Sequence, residues 1–273
     1  MKMQLDRREF YKRDKILEDL RIKIEKARAH DEVIDYLTYV PDGEPTLDVN
    51  LGREIEALGR FGIKTAVITN ASLMWREDVR KALMGTDLVS VKIDAIREDA
   101  WRKVNRPHPG LKLKNILDGI RIFARDYPGD LITETMLVKD MNDGESQITD
   151  IARFIAEIDP VNAYLSIPTR PPADDRVQSP GEGIINRSYQ LFSEYLDHVE
   201  YLIGYEGDAF ACTGNVEEDL LSITAVHPMR EDAVREFLKR SDTPWEMIDE
   251  LITAGKLIKI DYTDRHFYLR KVR

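Results

Sequence analysis

The chain has 273 residues, 42% hydrophobic and 33% charged, with one cysteine and a formal net charge of -10. This is a globular composition, and a single cysteine excludes an intrachain disulfide and any zinc or iron site built on a cysteine cluster of this chain. The acid surplus argues against broad nucleic-acid binding, which rests on Lys and Arg neutralising phosphates, and no apolar run approaches the roughly 18 residues of a membrane helix, so a cytoplasmic protein is expected.

From residue 13 to 29, Ile16, Leu17, Leu20, Ile24 and Ala27 recur at helical spacing. Residues 35–40 (Asp-Tyr-Leu-Thr-Tyr-Val) read as a strand stopped by the turn residues Pro41-Asp42-Gly43-Glu44-Pro45. A helix from about Asn50 to Gly62, a strand over 64–69, a helix from about Arg76 and a strand over 88–94 follow. Further helices are expected over 113–127, 145–158 and 183–197, with strands over 131–138, 163–167 and 201–205. Each helix separates two strands, as a parallel sheet requires. Runs such as Thr65-Ala-Val-Ile-Thr69 predict strands buried on both faces. The fold class is α/β, an incomplete (β/α)6 barrel.

Near Cys212-Thr-Gly-Asn215 the rhythm stops, giving two expected domains, 1–212 and 213–273. Thr243-Pro244-Trp245-Glu246 predicts a helix start, with Thr243 as N-cap and Glu246 closing a capping box. Segments 257–262 and 266–269 alternate around Thr263-Asp264-Arg265 as a hairpin. Three helices and a hairpin predict a winged-helix-like module.

In βα folds ligands bind beyond the carboxyl ends of the strands. Those ends are polar here: Gly43, Glu44 and Pro45 after the first strand, Asn70 after the second, Lys92 and Asp94 at the third, Glu134 and Thr135 in the fourth, Ser166 in the fifth. Glu44 beside a glycine suits an ammonium group, and Asn70, Lys92 and Asp94 suit hydroxyls or a carboxylate. Each has a plainer alternative, an ordinary turn or a rim ion pair. Cys212 lacks a nearby histidine base and reads as a packing residue, His227 and His266 as structural, and His108 as a loop residue within reach of the site.

The segments Tyr39-Val40-Pro41-Asp42-Gly43-Glu44-Pro45-Thr46-Leu47, Ile68-Thr69-Asn70-Ala71-Ser72-Leu73, Val89-Ser90-Val91-Lys92-Ile93-Asp94-Ala95 and Asn105-Arg106-Pro107 closely resemble the radical S-adenosylmethionine (radical SAM) superfamily, in particular an archaeal-type branch with a C-terminal winged-helix-like tail. The resemblance implies two cofactors, S-adenosylmethionine and a 4Fe-4S cluster held by a CxxxCxxC loop, which together yield a 5'-deoxyadenosyl radical. It also implies that Glu44 receives the amino group of S-adenosylmethionine and that Asn70 and Asp94 fall where other members contact the ribose or carboxylate; Gly43, Pro45 and Lys92 complete the expected cofactor-binding set from their places at the strand ends. No CxxxCxxC is present, and Arg7-Arg8-Glu9-Phe10 resembles the segment just after that loop, so the chain is expected to lack the first barrel strand and to be inactive alone.

Two alternatives stand beside that reading. One is a cluster-less binding or scaffold protein acting through the barrel shell or the winged helix; ten basic against twelve acidic residues over 215–273 favour a protein partner over nucleic acid. The other is a metal-free barrel enzyme using Glu44 or Lys92 as acid or base. The substrate is not legible in the sequence.

Overall fold

A computed structural model describes residues 4–29, 32–40, 43–172, 174, 176–202, 215–226, 228–262 and 265–271. Asp42, Cys212, His227 and the hairpin tip Thr263-Asp264 lie outside the described residues. The chain divides into two compact units: one of Met1–Glu18, Asp35–Pro168 and Arg176–Ile203, the other of Asp19–Ile34, Thr169–Asp175 and Gly204–Arg273.

The amphipathic opening segment forms α1 (Arg13–Ala29). The first unit then alternates β1 (Tyr36–Tyr39), α2 (Leu51–Leu58), β2 (Lys64–Thr69), α3 (Glu77–Leu83), β3 (Leu88–Lys92), α4 (Glu98–Val104), α5 (Leu113–Asp126), β4 (Asp130–Met136), α6 (Glu145–Ile158), β5 (Asn162–Ser166), α7 (Glu182–Ser193) and β6 (Val199–Leu202). The six strands are parallel and lie in chain order, β1 to β6. That is the α/β architecture of a partial barrel. The sequence reading missed α4, a two-turn helix whose sole apolar anchors are Ala100 and Trp101.

The helices owe their form to apolar spacing. In α5, Leu113, Ile116, Ile120 and Phe123 fall on one stripe, and in α6 Ile148, Ile151, Ala152, Ile155 and Ile158 do the same; all are buried. They pack onto the sheet face formed by Val67, Val89, Val91, Leu131, Ala163 and Leu165. Because side chains alternate along a strand, the register puts Thr38, Ile68, Lys92 and Glu134 on the opposite face. Thr38 and Ile68 are exposed there, and Lys92, Glu134 and Tyr164 are half-buried. The expectation of strands buried on both faces holds in part: the helix-covered face is buried throughout, and on the other face Ala66, Ser90 and Ser166 are buried too, so the Thr65–Thr69 run is broken only at the exposed Ile68.

In the second unit, α8 (Val216–Val226), β7 (Met229–Arg230), α9 (Glu231–Arg240), α10 (Glu246–Thr253), β8 (Leu257–Tyr262) and β9 (Arg265–Arg270) follow one another, and the antiparallel sheet is ordered β7-β9-β8. Leu220, Val234, Phe237, Ile248, Leu257 and Tyr268 form its core. Arg235 stacks on Trp245, 4.1 Å from the ring centroid, and Trp245 meets Tyr268 edge-on. The capping box is corrected. The helix begins at Glu246 with Trp245 at the cap, and the Thr243 hydroxyl donates to the Ser241 carbonyl at 3.1 Å instead.

Gly119, on the sealed face of α5, lies against the turn after β2; a Cβ there would sit 2.2 Å from the Met74 carbonyl oxygen. Gly119→Ala is expected to destabilise by about 1–3 kcal/mol through overpacking, despite the better helix propensity of alanine. Urea unfolding midpoints compared with Gly183→Ala, where nothing lies within 4 Å, provide the check.

Candidate functional site

Parallel strands direct all their carboxyl ends to one edge, and the polar residues singled out in the sequence gather there. Glu44 caps the short 3-10 turn Pro45–Leu47, with Pro45 at the first helical position. Its Oε1 accepts from the Thr46 amide (3.0 Å), the Thr46 hydroxyl (2.7 Å) and the Thr69 hydroxyl (2.6 Å), and its Oε2 from the Asn70 amide (2.8 Å). Glu44 thus joins the loop after β1 to the end of β2. Burial pushes its carboxyl above the ordinary value, and those hydrogen bonds only partly offset the rise. Gly43 precedes it at φ 147°, a conformation glycine takes freely.

Asn70 is exposed, and its side-chain oxygen accepts from the Ser72 amide at 2.9 Å, an Asx turn that sets Ala71 at φ 60°. The Lys92 ammonium bridges Asp94 Oδ1 (3.3 Å) and Glu134 Oε1 (3.0 Å), and the Ser166 hydroxyl donates to the same Glu134 oxygen at 2.8 Å. Burial alone would lower the Lys92 ammonium, but the two carboxylates hold it above its ordinary value, so it stays charged. Asp94 is 2% exposed and further accepts from the Met136 amide and from Asn105 Nδ2, both at 2.8 Å. The structure therefore brings Lys92, Asp94, Glu134 and Ser166 into one network across β3, β4 and β5. Glu44 and Asn70 form a separate one across β1 and β2.

Sequence reasoning missed Asn142, which is fully buried: it donates to the Asp94 and Met136 carbonyls and accepts from the Val138 amide, tying the ends of β3 and β4 together. No motif marks it. The role of Thr46 was legible in part, since a Thr two residues after a carboxylate is turn chemistry. His108 Nδ1 accepts from the Gly110 amide at 3.1 Å, bracing its own loop, and His266 pairs with Asp261 at 2.5 Å.

Residues 3–155 match the family model of the radical SAM superfamily. The chain belongs to the radical SAM superfamily. It is 42% identical over 271 residues to a UPF0026 protein of Methanocaldococcus jannaschii, covering 98% of this chain and 84% of that one. It is 36% identical over 140 residues to a UPF0026 protein of Helicobacter pylori, covering 50% of this chain and 45% of the other. The crystal structure of Streptococcus suis SuiB bound to S-adenosylmethionine matches with a TM-score of 0.52 at 14% identity, over 69% of this chain and 43% of that one, a likeness of fold.

Membership implies S-adenosylmethionine and a 4Fe-4S cluster. The two fare differently against the residues present. The strand-end carboxylates, ammonium and amides suit the polar groups of S-adenosylmethionine. A cluster held by three thiolates does not fit: the chain has one cysteine, and among the described residues no group of three or more His, Cys, Asp or Glu side chains is placed to hold a metal ion. No described helix is long and apolar enough to cross a membrane.

Behind the Glu44 turn, Glu54 of α2 is 2% exposed and its Oε1 has no hydrogen-bond partner. Burial, then the charges of Asp48 and Glu9, push its carboxyl up to about 7, with Arg13 pulling the other way. The folded chain therefore binds this proton more tightly than the unfolded chain. The resulting stability is full below about pH 4.5 and is lost as pH rises through about 7. Glu54→Gln is expected to stabilise by about 1–3 kcal/mol at pH 8 and to change little at pH 5. Thermal melts at the two pH values check this; an equal shift at both would refute it.

Proposed function

We propose that the carboxyl edge of the sheet binds S-adenosylmethionine, with Glu44 Oε2 receiving the ammonium of its methionine part. One observation carries this: Oε1 of the half-buried carboxylate takes three donors from the chain and Oε2 takes one, so Oε2 keeps capacity for a further donor. Gly43 leaves the approach clear, with nothing within 4 Å of where a Cβ would stand, and Pro45 fixes the turn. Asn70 and Lys92 stand at neighbouring strand ends, where they suit the ribose hydroxyls and the carboxylate of the same ligand. Asp94 acts behind Lys92 by holding it. Bound there, S-adenosylmethionine supplies the radical chemistry of the superfamily; the chain's own residues orient it.

Cysteine count limits what this polypeptide does alone. With one cysteine in the chain, at least two of three cluster thiolates would have to come from outside these 273 residues, so we infer that the isolated chain neither assembles a stable cluster nor cleaves S-adenosylmethionine.

A second reading concerns the smaller unit. Its element order and its β7-β9-β8 sheet support a winged-helix-like module, and the exposed Glu246, Asp249 and Glu250 on α10 favour a protein partner over nucleic acid. A cluster-less scaffold role would follow from that module.

Anaerobic reconstitution with iron and sulphide, followed by electron paramagnetic resonance of the reduced sample, tests the inference about the cluster. No stable 4Fe-4S signal is expected from this chain alone. A reducible cluster signal would overturn that inference.

A further inference from the structure

Beyond Glu44, a second bridge joins the same two loops, and it comes from the segment before α1. Leu5 packs against the core of the larger unit. Arg8 then pairs with Asp48 as an isolated parallel bridge, its amide donating to the Leu47 carbonyl at 3.0 Å and its carbonyl accepting from the Val49 amide at 3.2 Å. The Phe10 amide donates to Asp48 Oδ2 at 3.1 Å. Between these anchors the Arg7 guanidinium uses three nitrogens: Nε on the Thr46 carbonyl (2.8 Å), Nη2 on the Asp48 carbonyl (2.6 Å) and Nη1 on Asp78 Oδ2 (2.7 Å). Its side chain is 8% exposed.

The partners are informative. Thr46 and Asp48 belong to the loop after β1, and Asp78 lies in the first turn of α3, just past the loop after β2. These are the loops that Glu44 joins through Thr46 on one side and Thr69 and Asn70 on the other. Asp78 is itself fixed by two hydrogen bonds from Arg76, both 2.9 Å. A planar guanidinium with three donors in fixed directions suits two carbonyls and a carboxylate better than an ammonium would.

We propose that Arg7 is a positioning residue for the Glu44 carboxylate. It clamps the Thr46 and Asp48 carbonyls to the start of α3, so that the donors of Thr46, Thr69 and Asn70 converge on Glu44 and leave Oε2 directed at its ligand. The role in ligand binding rests on the S-adenosylmethionine reading above; the clamp itself does not.

The test uses the full chain with Arg7→Ala, Arg7→Lys and Glu44→Gln. Amide hydrogen exchange by NMR at Thr46 and Asn70 is expected to accelerate about tenfold or more in Arg7→Ala, to recover part-way in Arg7→Lys, and to leave the reference amides of Val91 and Thr135 unchanged. Unchanged exchange at Thr46 and Asn70 overturns the proposal, as does equal acceleration at the reference amides, which would mean general loosening. Calorimetric titration with S-adenosylmethionine and with 5'-methylthioadenosine, which lacks the amino-acid part, gives the second readout. Arg7→Ala is expected to weaken the first about tenfold and to spare the second. If exchange accelerates but Glu44→Gln leaves S-adenosylmethionine affinity unchanged, the clamp stands and the ligand reading fails. If Glu44→Gln weakens binding but Arg7→Ala alters neither exchange nor affinity, the ligand reading stands and the clamp fails.

Discussion

Everything at the candidate site depends on the parallel register of six strands. A parallel pair needs a crossover between its members, so helices return the chain to the same end each time and every strand delivers its last residues to one edge. Helices cover the face that carries Val67, Val89, Val91 and Leu165, which leaves the alternate residues Thr38, Ile68, Lys92 and Glu134 on the other face. Charged side chains on that face would be costly under a second helical layer; on the open face Lys92 and Glu134 are half-buried and hydrogen-bonded to each other.

The charges at this edge are arranged in neutralised groups. Lys92 sits between two carboxylates, and Asp94, the most buried of the three, also takes a backbone and a side-chain amide. Glu44 is met without a cation, by hydroxyls and amides alone, three of them on Oε1 and one on Oε2. Glu54 is the counter-example nearby. Burial, an oxygen without a partner and the nearby carboxylates of Asp48 and Glu9 raise its proton affinity. Burial raises the proton affinity of both glutamates; at Glu44 hydrogen-bond donors offset part of the rise, whereas at Glu54 neighbouring carboxylates add to it.

The superfamily's radical chemistry requires both S-adenosylmethionine and a cluster, and this chain provides for them unequally. The strand ends offer groups suited to S-adenosylmethionine, while the sequence holds one cysteine against the three thiolates a cluster takes. The division matters physically, because the cluster is where such a site receives its electron, whereas polar side chains at the strand ends can only bind and orient.

The sequence alone determined the alternation of helices and strands, because apolar spacing of 3.6 or 2 residues is a local property; α1, β2 and α6 fall where their periodicity puts them. It also determined the turn at Gly43-Glu44-Pro45 and the absence of cluster thiolates. Short elements escaped it: α4 has too few apolar residues to show a period, and Thr243, a good cap by composition, was outbid by its bond to Ser241. Which face of the sheet is sealed, which of Glu44 and Glu54 finds donors, and that Arg7 reaches Thr46, Asp48 and Asp78 were decided only in three dimensions. Those contacts span tens of residues in sequence, and no local pattern encodes which distant donor a side chain will meet.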